Sequence, residues 1–283
     1  MHEYQAELFI DKHHRLAESP FYDPRFDRIS WVDILDGKLY WQESGEINSF
    51  DVGEPIGAAI PMKEGNGFFL AGQKALWCYA NGEKKKALDL SNCYESWQRS
   101  NDAKADPQGR VFFGSAAEDG TGEEGGDLYR YDKGSLAIVQ SDTRISNGMA
   151  WNRAHTKFYF SDSLEHAVFA YDYEEATGSI SNRRTLFTVE DGVPDGMCID
   201  ADDRLWLAIW GGSRIECHDA KTGEMLAVVH VPAIHTTSCC FCGKDLDTLF
   251  ITTAGEGLEG IGDGRLYKCK VDAVGLAPDI AII

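Results

Sequence analysis

The sequence predicts an all-β protein, and specifically a six-bladed β-propeller. Pairs of short apolar runs, each divided by a polar turn, return six times along its 283 residues. The first runs of these pairs centre near residues 32, 69, 112, 159, 206 and 250, so the repeat is 37 to 47 residues long. Repeats of roughly 40 to 50 residues, each with several short strands, are typical of propeller blades. A β-sandwich would not show this self-similarity, and no stretch of the sequence sustains a helical period.

The six repeats follow one another without interruption, and each has an apolar run, a turn and a second apolar run in that order. The 29 glycines favour short turns between strands. Residues 7–15 predict an N-terminal strand that joins the last blade, because closing the ring removes exposed sheet edges. No long polar linker divides the chain, so we predict one propeller domain over residues 1–283. The paired runs are 29–34 with 38–41, 67–71 with 74–78, 106–114 with 127–131, 157–162 with 167–171, 204–209 with 214–217, and 247–252 with 264–268.

Composition limits what the protein binds and where it is found. A net charge of −19 repels phosphate backbones and anionic lipid, so we expect neither nucleic acid nor a membrane surface as a partner. Residues 1–5 are polar and lack a signal-peptide core, and no apolar run reaches the roughly 18 residues of a membrane span. The eight cysteines are expected to be reduced, mostly buried thiols. We expect a cytoplasmic monomer or homodimer. The pair His13-His14 is expected to be exposed.

One polar position recurs at a fixed phase of the repeat. Asp195 precedes an apolar strand in the run Val193-Pro194-Asp195-Gly196-Met197, and Asn147 has the same place in Ser146-Asn147-Gly148-Met149. In the third copy the place belongs to Asn101 or Asp102. Asn101 lies 46 positions before Asn147, and Asn147 lies 48 positions before Asp195. The first strand of each propeller blade lines the central channel, so these side chains are expected to meet at one mouth of the channel.

The same position in the repeat is occupied by three further groups, which we also expect at that mouth: Glu18, Arg99 and the run Thr236-Thr237-Ser238. Two carboxylates with one or two side-chain amides form an all-oxygen ligand set, which suits Ca²⁺, Mg²⁺ or Mn²⁺. The spacing therefore predicts a metal site on Glu18, Asn147 and Asp195. Each residue also has a simpler reading, because Pro-Asp-Gly and Asn-Gly are ordinary turn sequences and a lone glutamate is often just an exposed acid.

Two further residues are candidates for binding a substrate. Arg99 is either a surface charge or, within the same mouth, a binder of hydroxyl or carboxylate groups. Glu118 begins an acidic, glycine-rich stretch, residues 118–126. We interpret this stretch as a solvated loop, and the alternative is that Glu118 faces the pocket. The sequence Gly255-Glu256-Gly257-Leu258-Glu259-Gly260 matches a dinucleotide-binding pattern, but a strand follows it where that site needs a helix.

Several motifs together resemble the regucalcin (senescence marker protein) and gluconolactonase family. The resemblance runs from about residue 18 to residue 278, and it is most specific in the eight residues 194–201. The motifs are Glu18-Ser19-Pro20, Arg99-x-Asn101-Asp102, Ser146-Asn147-Gly148, Ser181-Asn182-Arg183-Arg184, Pro194-Asp195-Gly196-Met197-Cys198-Ile199-Asp200-Ala201 and Thr236-Thr237-Ser238-Cys239-Cys240-Phe241.

The resemblance implies a six-bladed propeller that holds one divalent metal and hydrolyses sugar lactones. It implies calcium as the cofactor, with Mn²⁺, Mg²⁺ or Zn²⁺ as alternatives. By motif match its metal ligands fall on Glu18, Asn147 and Asp195, and its substrate-binding residues fall on Arg99, Asn101 and Glu118. Two positions depart from the family pattern, Ala103 after Asn-Asp and Ala150 after Asn-Gly-Met, and both are expected to reshape the pocket.

The resulting hypothesis is a metal-dependent lactonase that opens an aldonolactone, similar to gluconolactone, to the aldonic acid. The metal would polarise the lactone, and Asp195 would act as general base on the attacking water. One alternative keeps the metal site but places an organophosphate in it. Another alternative is a calcium-binding propeller without catalytic activity.

Overall fold

The protein is a ring of six β-sheets, which confirms the predicted six-bladed propeller. The computed structural model describes residues 1–95, 97–118 and 125–283. Over these ranges the only helical element is a 3-10 turn, Ser163–Glu165. In the same part of the chain no helix is long and apolar enough to cross a membrane.

The strands are numbered along the chain, and consecutive antiparallel strands build each blade from the channel outward. Blade 1 contains β3 (Ala17–Asp23), β4 (Arg28–Asp33), β5 (Lys38–Glu43) and β6 (Glu46–Asp51). Blade 2 contains β7 (Ile56–Pro61), β8 (Phe68–Gly72), β9 (Ala75–Ala80) and β10 (Glu83–Asp89). Blade 3 contains β11 (Gln98–Ala105), β12 (Val111–Ala117), β13 (Gly126–Asp132) and β14 (Ser135–Thr143).

The last three blades follow the same plan. Blade 4 contains β15 (Ser146–Trp151), β16 (Lys157–Asp162), β17 (Ala167–Glu174) and β18 (Ser179–Thr188). Blade 5 contains β19 (Val193–Ile199), β20 (Arg204–Trp210), β21 (Arg214–Asp219) and β22 (Met225–His230). Blade 6 contains β23 (His235–Cys242), β24 (Thr248–Ala254) and β25 (Leu266–Lys270).

The N-terminal segment closes the ring, as predicted, but it does so with two strands. The strand β2 (Glu7–Ile10) pairs antiparallel with β25 and becomes the outer strand of blade 6. It is shorter than the predicted run 7–15. The preceding strand β1 (His2–Gln5) pairs in parallel with β22 and adds a fifth strand to blade 5. One segment therefore covers the outer edges of two neighbouring blades and ties them together.

The core lies between the blades, on the second strand of each. These strands correspond to the first apolar runs of the sequence repeat. Each of them carries a large aromatic residue with at most 2% of its surface exposed, and these are Trp31, Phe69, Phe112, Phe158, Trp206 and Phe250. The expected exposure of the histidine pair is wrong for His14. That side chain is buried, its Nε2 accepts a hydrogen bond from Trp31 Nε1 at 3.0 Å, and its Nδ1 lies 3.1 Å from the Gly264 carbonyl oxygen.

The channel through the ring has two different ends. The inner strands start at the upper mouth, where the candidate site lies. At the lower mouth, the C-terminal segment crosses from blade 6 to blade 2, with Gly275 N donating to Leu246 O at 2.7 Å and Ala281 N donating to Pro61 O at 2.9 Å. A cavity of about 200 Å³ lies under this segment.

Candidate metal and substrate site

Every inner strand carries an irregularity near its start, where pairing with the second strand shifts register. Asn147 and Gly148 fall between the pairs Ser146↔Asp162 and Met149↔Phe160. Asp195 and Gly196 fall in the corresponding gap of blade 5, and Asn101 and Asp102 in that of blade 3. A β-bulge bends a strand and redirects the side chain of the extra residue. The polar position that recurs in the sequence repeat is therefore the position of a β-bulge, which recurs in the inner strands around the channel.

In blades 2, 4 and 5 the bulge contains a glycine, which lets neighbouring inner strands approach closely. A Cβ atom on Gly148 would lie 2.5 Å from Asp195 O, and one on Gly196 would lie 2.1 Å from Ser238 Oγ. In blade 2, a Cβ atom on Gly57 would lie 1.8 Å from Asn101 O. No side chain fits at these distances, so glycine at this phase sets the diameter of the channel mouth.

The residues predicted for the site line one cavity of about 480 Å³ at the upper mouth. The predicted metal ligands Glu18, Asn147 and Asp195 are 6%, 5% and 5% exposed. The predicted substrate-binding residues Arg99, Asn101 and Glu118 line the same cavity. Side chains that are as much as 177 positions apart in the sequence, such as Glu18 and Asp195, therefore share one pocket.

The threonines of blade 6 do not take part, contrary to the prediction from repeat phase. Neither Thr236 nor Thr237 lines the cavity. The hydroxyl of Thr237 donates to Ala17 O at 2.6 Å, and that of Thr236 donates to Ile209 O at 2.7 Å. Their hydroxyls bind backbone carbonyl groups of neighbouring strands, so they hold blade 6 in the ring.

Asn147 is held so that its carbonyl oxygen is left free. Its Nδ2 donates to Ser163 Oγ at 3.1 Å, and Ser163 Oγ in turn donates to Pro194 O at 2.8 Å. The Oδ1 atom of Asn147 is buried and has no hydrogen-bond partner. A buried carbonyl oxygen without a partner is costly, and a bound cation would satisfy it.

The carboxylates of this cavity are buried close to other carboxylates. Burial, reinforced by the charges of Asp195 and Asp102, raises the pKa of Glu18 well above its usual value. Burial and the charge of Asp102 likewise raise the pKa of Asp195. Oxygen ligands crowded in this way suit a hard divalent cation. In the described part of the chain no three His, Cys, Asp or Glu side chains are grouped as metal ligands. The candidate site contains two carboxylates, Glu18 and Asp195, and the amide of Asn147 is its third ligand.

Arg99, Asn101 and Glu118 form the polar wall of the cavity. Arg99 Nη1 donates to Asn101 Oδ1 at 2.7 Å, while Asn101 Nδ2 donates to Ser146 O at 2.9 Å. Burial lowers the pKa of Arg99, and its Nε atom has no hydrogen-bond partner. Glu118 is exposed and directly follows β12. Residues 119–124 of the predicted acidic loop lie outside the described residues, so that prediction is not tested.

The structure also corrects the expectation for the two alanines. Neither Ala103 nor Ala150 lines the candidate cavity. Ala103 is packed in the core, and Ala150 faces the cavity at the lower mouth. Ala103 lies two positions after Asn101 and Ala150 three positions after Asn147, and at these positions the extended strand has already left the upper mouth. Ser163, by contrast, supports Asn147 and was not predicted, because it lies in a turn outside the repeated motif.

The fold and the cavity define a class of protein, the six-bladed propellers with an oxygen-lined site at one mouth of the channel. Residues 16–255 match the family model described as the SMP-30/Gluconolactonase/LRE-like region. Regucalcin from Macaca fascicularis is 34% identical, and the match covers 97% of each chain. The chain belongs to the SMP-30/gluconolactonase/LRE-like family, as the sequence motifs indicated.

Solved structures agree with this assignment. A luciferin-regenerating enzyme superposes with a TM-score of 0.90 at 26% identity, covering 98% of this chain and 100% of that one. A calcium-binding protein, regucalcin from Agrobacterium tumefaciens, superposes with a TM-score of 0.93 at 22% identity, covering 100% and 99%. The second likeness supports the fold.

Proposed function

We propose that this protein is a metal-dependent sugar lactonase that hydrolyses an aldonolactone, similar to gluconolactone, to the aldonic acid. The observation that carries the proposal is the Oδ1 atom of Asn147, which is buried without a partner in the cavity that Glu18 and Asp195 also line. Membership of a family that includes gluconolactonases supports a lactone as substrate.

The residues present fit one divalent cation. Glu18, Asn147 and Asp195 would hold it, and calcium is the proposed ion, with Mn²⁺, Mg²⁺ and Zn²⁺ as alternatives. The all-oxygen donor set and the calcium-binding relative support calcium. When bound, such an ion polarises an ester carbonyl and stabilises the negative charge that develops on its oxygen.

The side chains of the cavity supply the remaining steps. Asp195 takes a proton from the attacking water onto its carboxylate, a contribution of about 10²–10⁴-fold in general base catalysis. A carboxylate that ligates a cation is a weak base, and burial, which raises the pKa of Asp195, offsets part of that loss. Arg99, Asn101 and Glu118 bind hydroxyl groups of the sugar and orient the ring, with the Arg99–Asn101 hydrogen bond fixing the guanidinium.

The test replaces Asp195 with alanine or asparagine and follows acid release from aldonolactones in the presence of calcium. We expect lactone opening to fall by at least about a hundredfold while the fold is retained. Asp202→Asn is the matched control, because Asp202 lies on the same blade with its side chain 78% exposed and is expected to keep wild-type turnover. Near-wild-type turnover in both Asp195 variants would refute the assignment.

The same panel separates the alternatives. A phosphotriester included with the lactones tests the organophosphate hydrolase, which would use the same three ligands. Calcium binding without any turnover would favour a non-catalytic calcium-binding propeller. For localisation, we propose the cytoplasm, supported by the eight cysteines, all of which are free thiols. We further propose a monomer or homodimer that binds neither nucleic acid nor membranes.

A further inference from the structure

Glu256 also lines the cavity at the upper mouth, although neither the repeat nor the family motifs point to it. It is exposed and lies two positions beyond the end of β24 in blade 6, whereas Glu118 directly follows β12 in blade 3. The blades contact one another in chain order around the ring, so blades 3 and 6 stand on opposite sides of the channel. The cavity therefore has an exposed carboxylate on each of two opposite sides. Glu118 is held by the neighbouring blade 2, since Gln73 Nε2 donates to its Oε2 at 3.2 Å.

The carboxylate of Glu256 is held by Arg15, which precedes the first strand of blade 1. Arg15 Nε donates to Glu256 Oε2 at 2.8 Å, and Arg15 Nη2 donates to Glu256 Oε1 at 2.9 Å. Two parallel hydrogen bonds of this kind fix the plane of the carboxylate. They leave a lone pair on each carboxylate oxygen for a further donor. The hydrogen bonds from Arg15 lower the pKa of Glu256, so the group stays ionised and acts only as an acceptor.

The backbone at Glu256 is fixed by the same arginine. The amides of Gly255 and Glu256 both donate to Arg15 O, at 3.1 and 3.0 Å. A Cβ atom on Gly255 would lie 3.0 Å from the backbone oxygen of His14, so a larger residue would push this turn away from blade 1. The run 255–260 matched a dinucleotide-binding pattern in the sequence, and in the structure its first glycine places Glu256 at the mouth of the channel.

Stability does not account for the pair of Arg15 and Glu256. Their side chains are 44% and 51% exposed, and exposed ion pairs contribute little to the stability of a protein. Two residues that line the same cavity, Asn147 and Arg99, each have a buried side-chain atom without a hydrogen-bond partner, Oδ1 and Nε respectively. Such atoms indicate that the cavity receives a polar ligand. A ligand with hydroxyl groups on two sides would donate to the acceptors on both sides of the mouth.

We propose that Glu256, oriented by Arg15, binds a hydroxyl group of the sugar lactone on the side of the ring opposite the group that Glu118 binds. The inference rests on the proposed lactonase function and adds a specificity-determining residue to it. A lactone that lacks a hydroxyl group on that side would lose this contact. Because the contact is remote from the ester bond, it stabilises the bound substrate and the transition state equally. Its loss therefore raises KM and leaves kcat unchanged.

The test measures kcat and KM for glucono-1,5-lactone with calcium present. Glu256→Gln and Glu256→Ala should both raise KM at unchanged kcat, Glu256→Ala by about tenfold, as expected for the loss of a hydrogen bond to a charged group. Arg15→Met should raise KM by a smaller factor, and Arg15→Lys should restore part of the loss because it keeps the charge but not the two-point contact. Glu259→Gln is the matched control, because Glu259 is exposed in the same loop and does not line the cavity, and it should leave both constants unchanged. A wild-type KM in both Glu256 variants, or a loss of kcat at unchanged KM, would overturn the inference.

A double variant tests the arrangement across the mouth. Contacts to hydroxyl groups on opposite sides of the ring are independent of each other. The increases in KM caused by Glu118→Gln and Glu256→Gln should therefore multiply in the double variant, to within about a factor of two. A double variant no weaker than the weaker of the two single variants would show that both carboxylates bind the same group, and it would overturn the inference.

Calorimetric binding of gluconolactam, the amide analogue that resists hydrolysis, separates failure of this inference from failure of the proposed function. Lactam affinity that falls in Glu256→Ala but not in Glu259→Gln supports the role of Glu256 even if no lactone is opened. Lactones opened with the same KM, and lactam bound with the same affinity, in the wild type and in Glu256→Ala would overturn the inference and leave the lactonase intact. The absence of both lactone turnover and lactam binding in the wild type would overturn both.

Discussion

Ser163 links the backbone of blade 5 to the amide of Asn147, and its removal tests the candidate metal site without touching a ligand. Its hydroxyl donates to Pro194 O at 2.8 Å and accepts from Asn147 Nδ2 at 3.1 Å. In Ser163→Ala both partners lose their hydrogen bond inside the protein. Each of the two unsatisfied buried groups costs about 1–3 kcal/mol, so the free energy of unfolding should fall by about 2–6 kcal/mol in the metal-free protein.

The larger consequence concerns the cation. Without Ser163 Oγ, the Asn147 amide is free to rotate, and its Oδ1 is no longer directed into the cavity. Groups that orient metal ligands typically change metal affinity about 10–100-fold when removed. We therefore expect the calcium affinity of Ser163→Ala to fall by that factor, which corresponds to about 1.4–2.7 kcal/mol.

The assay combines calorimetric titration of chelated protein with calcium and thermal melts at fixed calcium concentrations. Thr252→Val is the matched control, because its buried hydroxyl donates to Ser238 O at 3.3 Å but does not line the cavity. This control should lose stability without losing calcium affinity. Calcium affinity that stays at the wild-type value in Ser163→Ala, and also in Asn147→Ala, would refute the assignment of Asn147 as a ligand.

Two further predictions concern stability. Gly148→Ala should lower the free energy of unfolding by about 3 kcal/mol in urea titrations, because its Cβ would lie 2.5 Å from Asp195 O and 2.7 Å from Met197 N. The same change at Gly45, where φ is +83° and no atom lies within 4 Å, should cost only about 1 kcal/mol, and equal losses would contradict the close approach. Burial raises the pKa of Asp279, half-buried at the lower mouth near Asp106, Glu175 and His155, to about 6. Folding therefore favours the protonated form of Asp279, and this stabilisation is complete only below the pKa of an unfolded aspartate, about 4. The free energy of unfolding of the wild type should fall by about 1–2 kcal/mol as the pH rises through about 6. Thermal melts should show no such loss in Asp279→Asn, and identical pH profiles would exclude this role for Asp279.

The sequence alone determined the repeat and the residues that share its phase. Blade number, the second strands and the closing N-terminal strand follow from alternating apolar runs and turns, because period-two patterns and turn residues are local properties. The convergence of Glu18, Asn147 and Asp195 also follows, since equal phase in a circular repeat means equal position around the axis. Neither Thr236 nor Thr237 obeys this rule, because a hydroxyl can bind a neighbouring carbonyl group instead of pointing into the channel.

Only the tertiary structure decided which groups surround those residues. The support of Asn147 by Ser163, the burial of His14 beside Trp31 and the pairing of β1 with blade 5 join segments whose contact leaves no local pattern. Burial, orphaned polar atoms and cavity shape depend on the packing of distant segments, so they appear only once the ring has closed.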